Sequence, residues 1–287
     1  MKLVLSRKGF DSGYGGIPSP ILPDGRLIPL PIPNSTDHFT LADINIPNID
    51  AGQLLGDLSK GSHSLATRIH LDPDLDRAPA SRLPGWRPAL GQSGNAQSHL
   101  RDMHVGAGDV FIFFGWFRQT EHKSGTWRYV RSAPNMHVMF GWLEIDVVLP
   151  VVGERERSLS EFPWIANHPH VSDPSNFTDL RNTLYLAAVQ SRFNPRAAHG
   201  GGRFAVYSDY LRLTKPGHTR SVWSLPGWFM PQSTQAPLSY HPRPDQWQQD
   251  REGVILRSAA KGQEFVLDGA AYPQAESWVA DLVSNHA

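Results

Sequence analysis

The chain has 287 residues, with 27 Lys and Arg balanced by 27 Asp and Glu, 13 His, 24 Pro, 25 Gly, nine Trp and no Cys. That length suits one domain over residues 1–287 with a real core. Without cysteine there can be no disulfide, thiolate nucleophile, iron–sulfur cluster or zinc finger, so any metal must be held by His, Asp or Glu. Zero net charge argues against a protein that coats long duplexes.

Strands dominate the predicted elements. In chain order they are Lys2–Ser6, Arg26–Leu30, Asp109–Phe117, His137–Pro150, Asn182–Ala188, Arg203–Tyr207, Gly253–Leu256 and Glu264–Leu267, most of them set off by Gly or Pro. Short helices are predicted at Asp50–Leu58, Asn95–Met103 and Gln274–Ser284, the last with Trp278, Val279, Leu282 and Val283 on one face. Ile17–His38, Leu75–Gly94 and Pro226–Trp247 read as long loops, a length that usually marks binding or disorder. The pattern predicts a mainly β, α+β fold with a barrel-like sheet. No apolar run is long enough to span a membrane, and the N-terminal apolar stretch is too short for a signal peptide, so a cytoplasmic protein without membrane contact is expected.

Three segments carry candidate chemistry. The first, Ser6 to Gly16, follows a strand and packs Gly9, Gly13, Gly15 and Gly16 beside Arg7 and Lys8. Backbone N–H groups of such a turn can hold an anion, with Arg7, Lys8 and Ser12 on a substrate phosphate and Ser6 and Asp11 as candidate catalytic groups. It matches neither a P-loop nor a dinucleotide fingerprint.

The second is His70-Leu71-Asp72. On an extended backbone His70 and Asp72 face one side, as in the pair that opens a facial Fe(II) site, and both are candidate catalytic and metal-binding residues. His122, followed by Arg131 and Ser132, has the spacing of a distal ligand with an oxo-acid anchor. The third is His168-Pro169-His170 with Asp173, whose imidazoles could chelate a divalent metal. An ordinary loop of hydrogen-bonded imidazoles is the plainer alternative for both.

Charge is uneven along the chain. From Arg181 to Arg220 seven basic residues, among them Arg203 and Arg212, face one acid, Asp209. This segment can hold phosphates, and Trp223 and Trp228 just after it can stack on a base.

The strings SRKGFDSGYGGIPSPILPDGRLIPLPIP, HLDPDL, GWRPALGQSGNAQSHL, GDVFIFFGWFR and NHPHV, in this order, resemble the third type of nucleotide modification associated domain. The resemblance covers nearly the whole chain. It implies a place in bacterial or phage systems that alter nucleobases, with a nucleotide or nucleic acid and other modification proteins as partners, and it assigns no catalytic residue. The strands at Gly108-Asp109 and Gly141-Trp142 also look like those of PUA-like barrels, some of which hold flipped bases. The expected function is recognition or processing of a nucleobase or nucleotide. The alternatives are a metal-dependent enzyme with Fe(II) or Zn at a His/Asp site, and a non-catalytic reader or structural subunit.

Overall fold

A computed structural model describes the whole chain except residues 45, 77–81, 233–234 and 252. Part of the predicted 75–94 and 226–247 loops therefore lies outside the described residues. The elements in chain order are β1 (Lys2–Arg7), β2 (Ser19–Ile21), α1 (Ala51–Ser59), β3 (Ala89–Gln92), α2 (Gly94–Asp102), β4 (Val110–Lys123), β5 (Thr126–Tyr129) and β6 (Met136–Pro150). There follow α3 (Arg155–Glu161), α4 (Pro169–Ser172), β7 (Thr183–Ala187), β8 (Gly201–Arg203), β9 (Val222–Leu225), β10 (Trp247–Gln249), β11 (Val254–Arg257), β12 (Glu264–Asp268) and α5 (Gln274–His286).

The main sheet runs β12-β1-β4-β6-β7-β3, with β2 and β5 on β4 and β8 on β6, and a smaller sheet runs β10-β11-β9. β1 is antiparallel to β12 and parallel to β4. The long strands β4 and β6 form the spine, with a register shift at Phe113/Phe114. Phe111, Phe113, Phe114 and Phe117 on β4 and Trp142 on β6 are fully buried, each such side chain contributing on the order of 2–3 kcal/mol. α5 covers this core with Trp278, Val279, Leu282 and Val283, the face its spacing predicts. α1 is capped by Asp50, which accepts from the Gln53 amide, and buries Leu54, Leu55 and Leu58 in a second cluster.

The predicted barrel needs correction, because the sheet is curled but not closed. Both edges that would have to pair are occupied by loops. On β3 the Ala89 amide donates to the Asp74 carbonyl, and the Gly91 amide donates to Asp72 Oδ1 at 2.7 Å. On β12 the Val266 carbonyl accepts from the Ser239 amide, and the Val266 amide donates to Ser239 Oγ. Between the edges one side-chain bond remains, from Gln92 Nε2 to Glu264 Oε1 at 2.6 Å. The segment that seals the β3 edge is the one that carries His70 and Asp72. Other expected strands are shorter than predicted: 26–30 forms isolated bridges only, and 203–207 continues past β8 as a single bridge, Arg26 with Val206.

Candidate metal centre

His70, Asp72 and His170 come together, each offering one ligand atom within 4.8 Å of the other two, and they are the group of this kind found among the described residues. Three loops and β3 build the place. His70 follows a bridge between Ile69 and Pro33, and its amide donates to the Ile32 carbonyl. Asp72 is fixed by the Gly91 amide. His170 sits in the four-residue α4, begun by Pro169 and capped by His168, whose Nδ1 accepts from the His170 amide at 3.3 Å. Thr36 Oγ1 donates to Asp173 Oδ2 at 2.7 Å and ties the 17–38 loop to the end of α4.

Hydrogen bonds set both ring tautomers. His70 Nδ1 lies 2.7 Å from Asp37 Oδ2, so Nδ1–H donates to that carboxylate and Nε2 keeps its lone pair. Asn182 spends Nδ2 on the carbonyls of His170 and Asn176, which leaves its Oδ1 to accept from His170 Nδ1 at 2.6 Å and again frees Nε2. The two rings stand 5.2 Å apart. Gly91 makes room for this: a Cβ there would lie 2.1 Å from His170 Cδ2.

Electrostatics follow from the burial. Burial opposes charge on Asp72, but the His168 contact and the charges of Lys8, His170 and His168 outweigh it and hold the carboxyl well below the usual range. Burial pushes His170 down to about 4, helped by His70 and His168 and opposed by Asp72. For His70 burial also works downward, yet the Asp37 hydrogen bond and the charges of Asp72 and Asp37 raise it overall. His168 Nε2 lies 3.4 Å from Asp72 Oδ1 without hydrogen-bond alignment, and it and Asp37 Oδ1 are buried without a hydrogen-bond partner. Of the predicted metal ligands His168 thus stands beside the converging set as a helix cap.

The other predicted residues are dispersed. His122 packs at a tilt against Trp127 in the β4–β5 hairpin, with ring centroids 4.7 Å apart, and His170 takes the third place it was expected to fill. Arg7 donates to the carbonyls of Ala259 and Ala260 and lies over Phe265, so it clamps a loop. Lys8 Nζ is 3.1 Å from Glu264 Oε1 and acts electrostatically on Asp72 and His70. Ser6 is wholly buried in β1 with its Oγ unpartnered, and Asp11 Oδ1 caps the turn at the Gly13 and Tyr14 amides. Ser12 Oγ accepts from Arg220 at 3.3 Å.

The basic excess of residues 181–220 is largely offset by acids folded against it. Arg181 pairs with Asp179, Arg192 with Glu144, Arg203 with Asp76 and Arg212 with Asp209. Trp223 is wholly inside the core, its Nε1 donating to His137 Nδ1, and Trp228 is half-buried and stacked on Phe229 at 4.0 Å. Trp223 thus has no face free to stack on a base, while Trp228 keeps part of its surface at a cleft that Arg212 also lines. Sequence reasoning missed Asp37, Gly91 and Asn182. No motif marks them, although Asp37 lies in a loop whose length pointed to binding.

Among the described residues no helix is long and apolar enough to cross a membrane. No curated protein and no solved structure matches the chain. The family model for nucleotide modification associated domain 3 matches residues 2–268, a span that includes every residue of the His/Asp cluster, and the chain belongs to this family, which implies a role in a nucleotide modification system.

Proposed function

We propose that the chain is a metal-dependent enzyme of nucleotide modification, holding one divalent ion with His70 Nε2, Asp72 and His170 Nε2. The observation that carries this reading is the convergence of three ligand atoms whose imidazoles are already fixed in the metal-binding tautomer by Asp37 and Asn182. Charge supports it: once both imidazoles are neutral, as metal binding requires, the buried carboxylates Asp37, Asp72 and Glu264 face the ammonium of Lys8, which leaves two formal negative charges for a divalent cation to offset. Asp37 Oδ1, buried without a hydrogen-bond partner while Oδ2 of the same carboxylate holds His70, leaves polar capacity unspent beside the ligands.

Two imidazoles and one carboxylate leave coordination positions open, the pattern of non-haem Fe(II) oxygenases and of catalytic zinc. An Fe(II) ion would support oxygenation of a base, and Zn would supply an activated water. Around either ion the chain's own residues have definable parts. Asp37 and Asn182 orient the rings, Asp72 remains ionised, and Lys8 adds positive charge held in place by Glu264.

Elemental mass spectrometry of tag-free protein tests the proposal. About one divalent ion per chain is expected, lost in His70→Ala and in His170→Ala while both variants stay folded. A chain that takes up no Fe(II), Zn or Mn even after loading would rule it out.

A further inference from the structure

Two clefts meet at Leu75, Asp76 and Arg203. The inner one, about 50 Å³, is walled by apolar groups such as Pro29, Pro31, Leu71 and Phe140 and reaches Asp72. The outer one, about 370 Å³, opens to solvent and is lined by Arg26 and Arg203 together with Ile28 and Pro47. The outer volume is in the range of small-ligand sites, and the inner one admits only the leading edge of a ring.

Arg203 is the shared wall. Nη1 lies 3.1 Å from Asp76 Oδ2 and Nη2 donates to the Leu27 carbonyl at 2.8 Å, while Nε is buried without a partner. A guanidinium carries five N–H donors, so two fixed contacts orient the group and leave hydrogens unspent. Arg26 is anchored likewise, through Nε to Asp24 and Nη1 to the Pro47 carbonyl. Two guanidiniums on an open groove, each held by a carboxylate and a carbonyl with N–H groups to spare, suit a phosphate, and the apolar slot behind them takes the edge of a base.

Building on the metal-centre reading, we infer that these joined clefts bind a nucleoside phosphate, with its phosphate at Arg203 and Arg26 and its base directed past Leu75 into the slot beside Asp72. The phosphate is either that of a free nucleotide or one link of a single strand. The chemistry at the arginines is the same.

Calorimetric titration of the purified full chain with the four 2′-deoxynucleoside 5′-monophosphates, the matching nucleosides and a single-stranded DNA hexamer tests this. At least one monophosphate, or the hexamer, should bind about tenfold more tightly than the nucleosides, because a charge-assisted arginine contact is worth about a factor of ten or more. Arg203→Lys and Arg26→Ala should each erase most of that difference, and Arg26→Ala, at a residue that lines only the outer cleft, should leave nucleoside binding unchanged. Should Arg203→Lys fail to fold, Arg26→Ala, at a more exposed position, decides alone. Dependence on the arginines seen only with the hexamer assigns the site to a strand, and dependence seen with the monophosphates assigns it to a free nucleotide. Equal binding of nucleoside and phosphate forms, no binding of any probe, or wild-type discrimination in both variants overturns the inference. Metal content measured on the same samples separates the two readings. Phosphate discrimination in a chain that takes up no metal keeps the clefts and removes the metal centre, and metal without discrimination does the reverse.

Discussion

His70 and His170 stand with ring centroids 5.2 Å apart, and each has its Nδ1 engaged by an acceptor, Asp37 for one and Asn182 for the other. The acceptors differ in charge. A carboxylate behind an imidazole makes its free nitrogen a stronger donor to a metal than an amide does. Asp37→Asn should therefore lower metal affinity by about 10–100-fold, with the fold retained. Competition against a chromophoric chelator measures it, and an unchanged affinity would remove Asp37 from the centre.

Metal binding should also depend on pH in a stated direction. His70 must lose its ring proton to bind an ion, and its pKa is raised by the Asp37 hydrogen bond and the charge of Asp72, which overcome its burial. Protons therefore compete with the metal through the neutral range. Apparent affinity should rise steadily as pH is raised through the ordinary histidine range and above it, and in Asp37→Asn the same rise should move to lower pH. A flat profile from pH 6 to 8 would contradict the assignment of His70 as a ligand.

Gly91 is set against the His170 ring so closely that an added methyl would fall 2.1 Å from Cδ2 and 2.3 Å from Cγ. Gly91→Ala should cost about 1–3 kcal/mol and push His170 off the converging set, so that metal is lost along with stability. Gly56 in α1 has nothing within 4 Å of its virtual Cβ, and there Gly56→Ala should add up to about 1 kcal/mol without touching metal content. Urea melts and metal analysis of the two variants side by side check both halves.

The strands of the spine were legible because Asp109–Phe117 and 137–150 are long apolar runs, and α5 because its apolar residues recur at helical spacing. The His70–Asp72 and His168–His170 pairs were each visible as short spacings. Their union was not, since it depends on which loop seals the β3 edge, and the bonds that do this come from main-chain atoms of Ala89 and Gly91. The barrel expectation failed for the same reason. Arg7 and Trp223 misled because a sequence shows a charge or an indole but not the carbonyls of Ala259 and Ala260 or the His137 nitrogen that occupy them. The excess of basic residues before Trp223 was real in sequence and is largely offset in space by acids such as Asp76, Glu144 and Asp179.

A second histidine sets the acid stability of the sheet independently of the metal centre. Burial pushes His137 down to about 3, assisted by the nearby charges of Arg7 and Arg220, while its Nδ1 accepts the Trp223 indole N–H. Its folded pKa lies below the unfolded value of about 6.5, so the unfolded chain binds the extra proton. The neutral ring therefore favours the fold fully only above about pH 6.5, and stability falls as pH is lowered from there toward 3. Between pH 7 and pH 5 the loss from this one group should be about 2 kcal/mol. His137→Gln retains an acceptor for Trp223 and removes the titration, so its unfolding free energy should fall less steeply over the same interval. Denaturant melts of the metal-free proteins at pH 7, 6 and 5 give both slopes, and parallel slopes would mean that His137 does not carry the acid sensitivity.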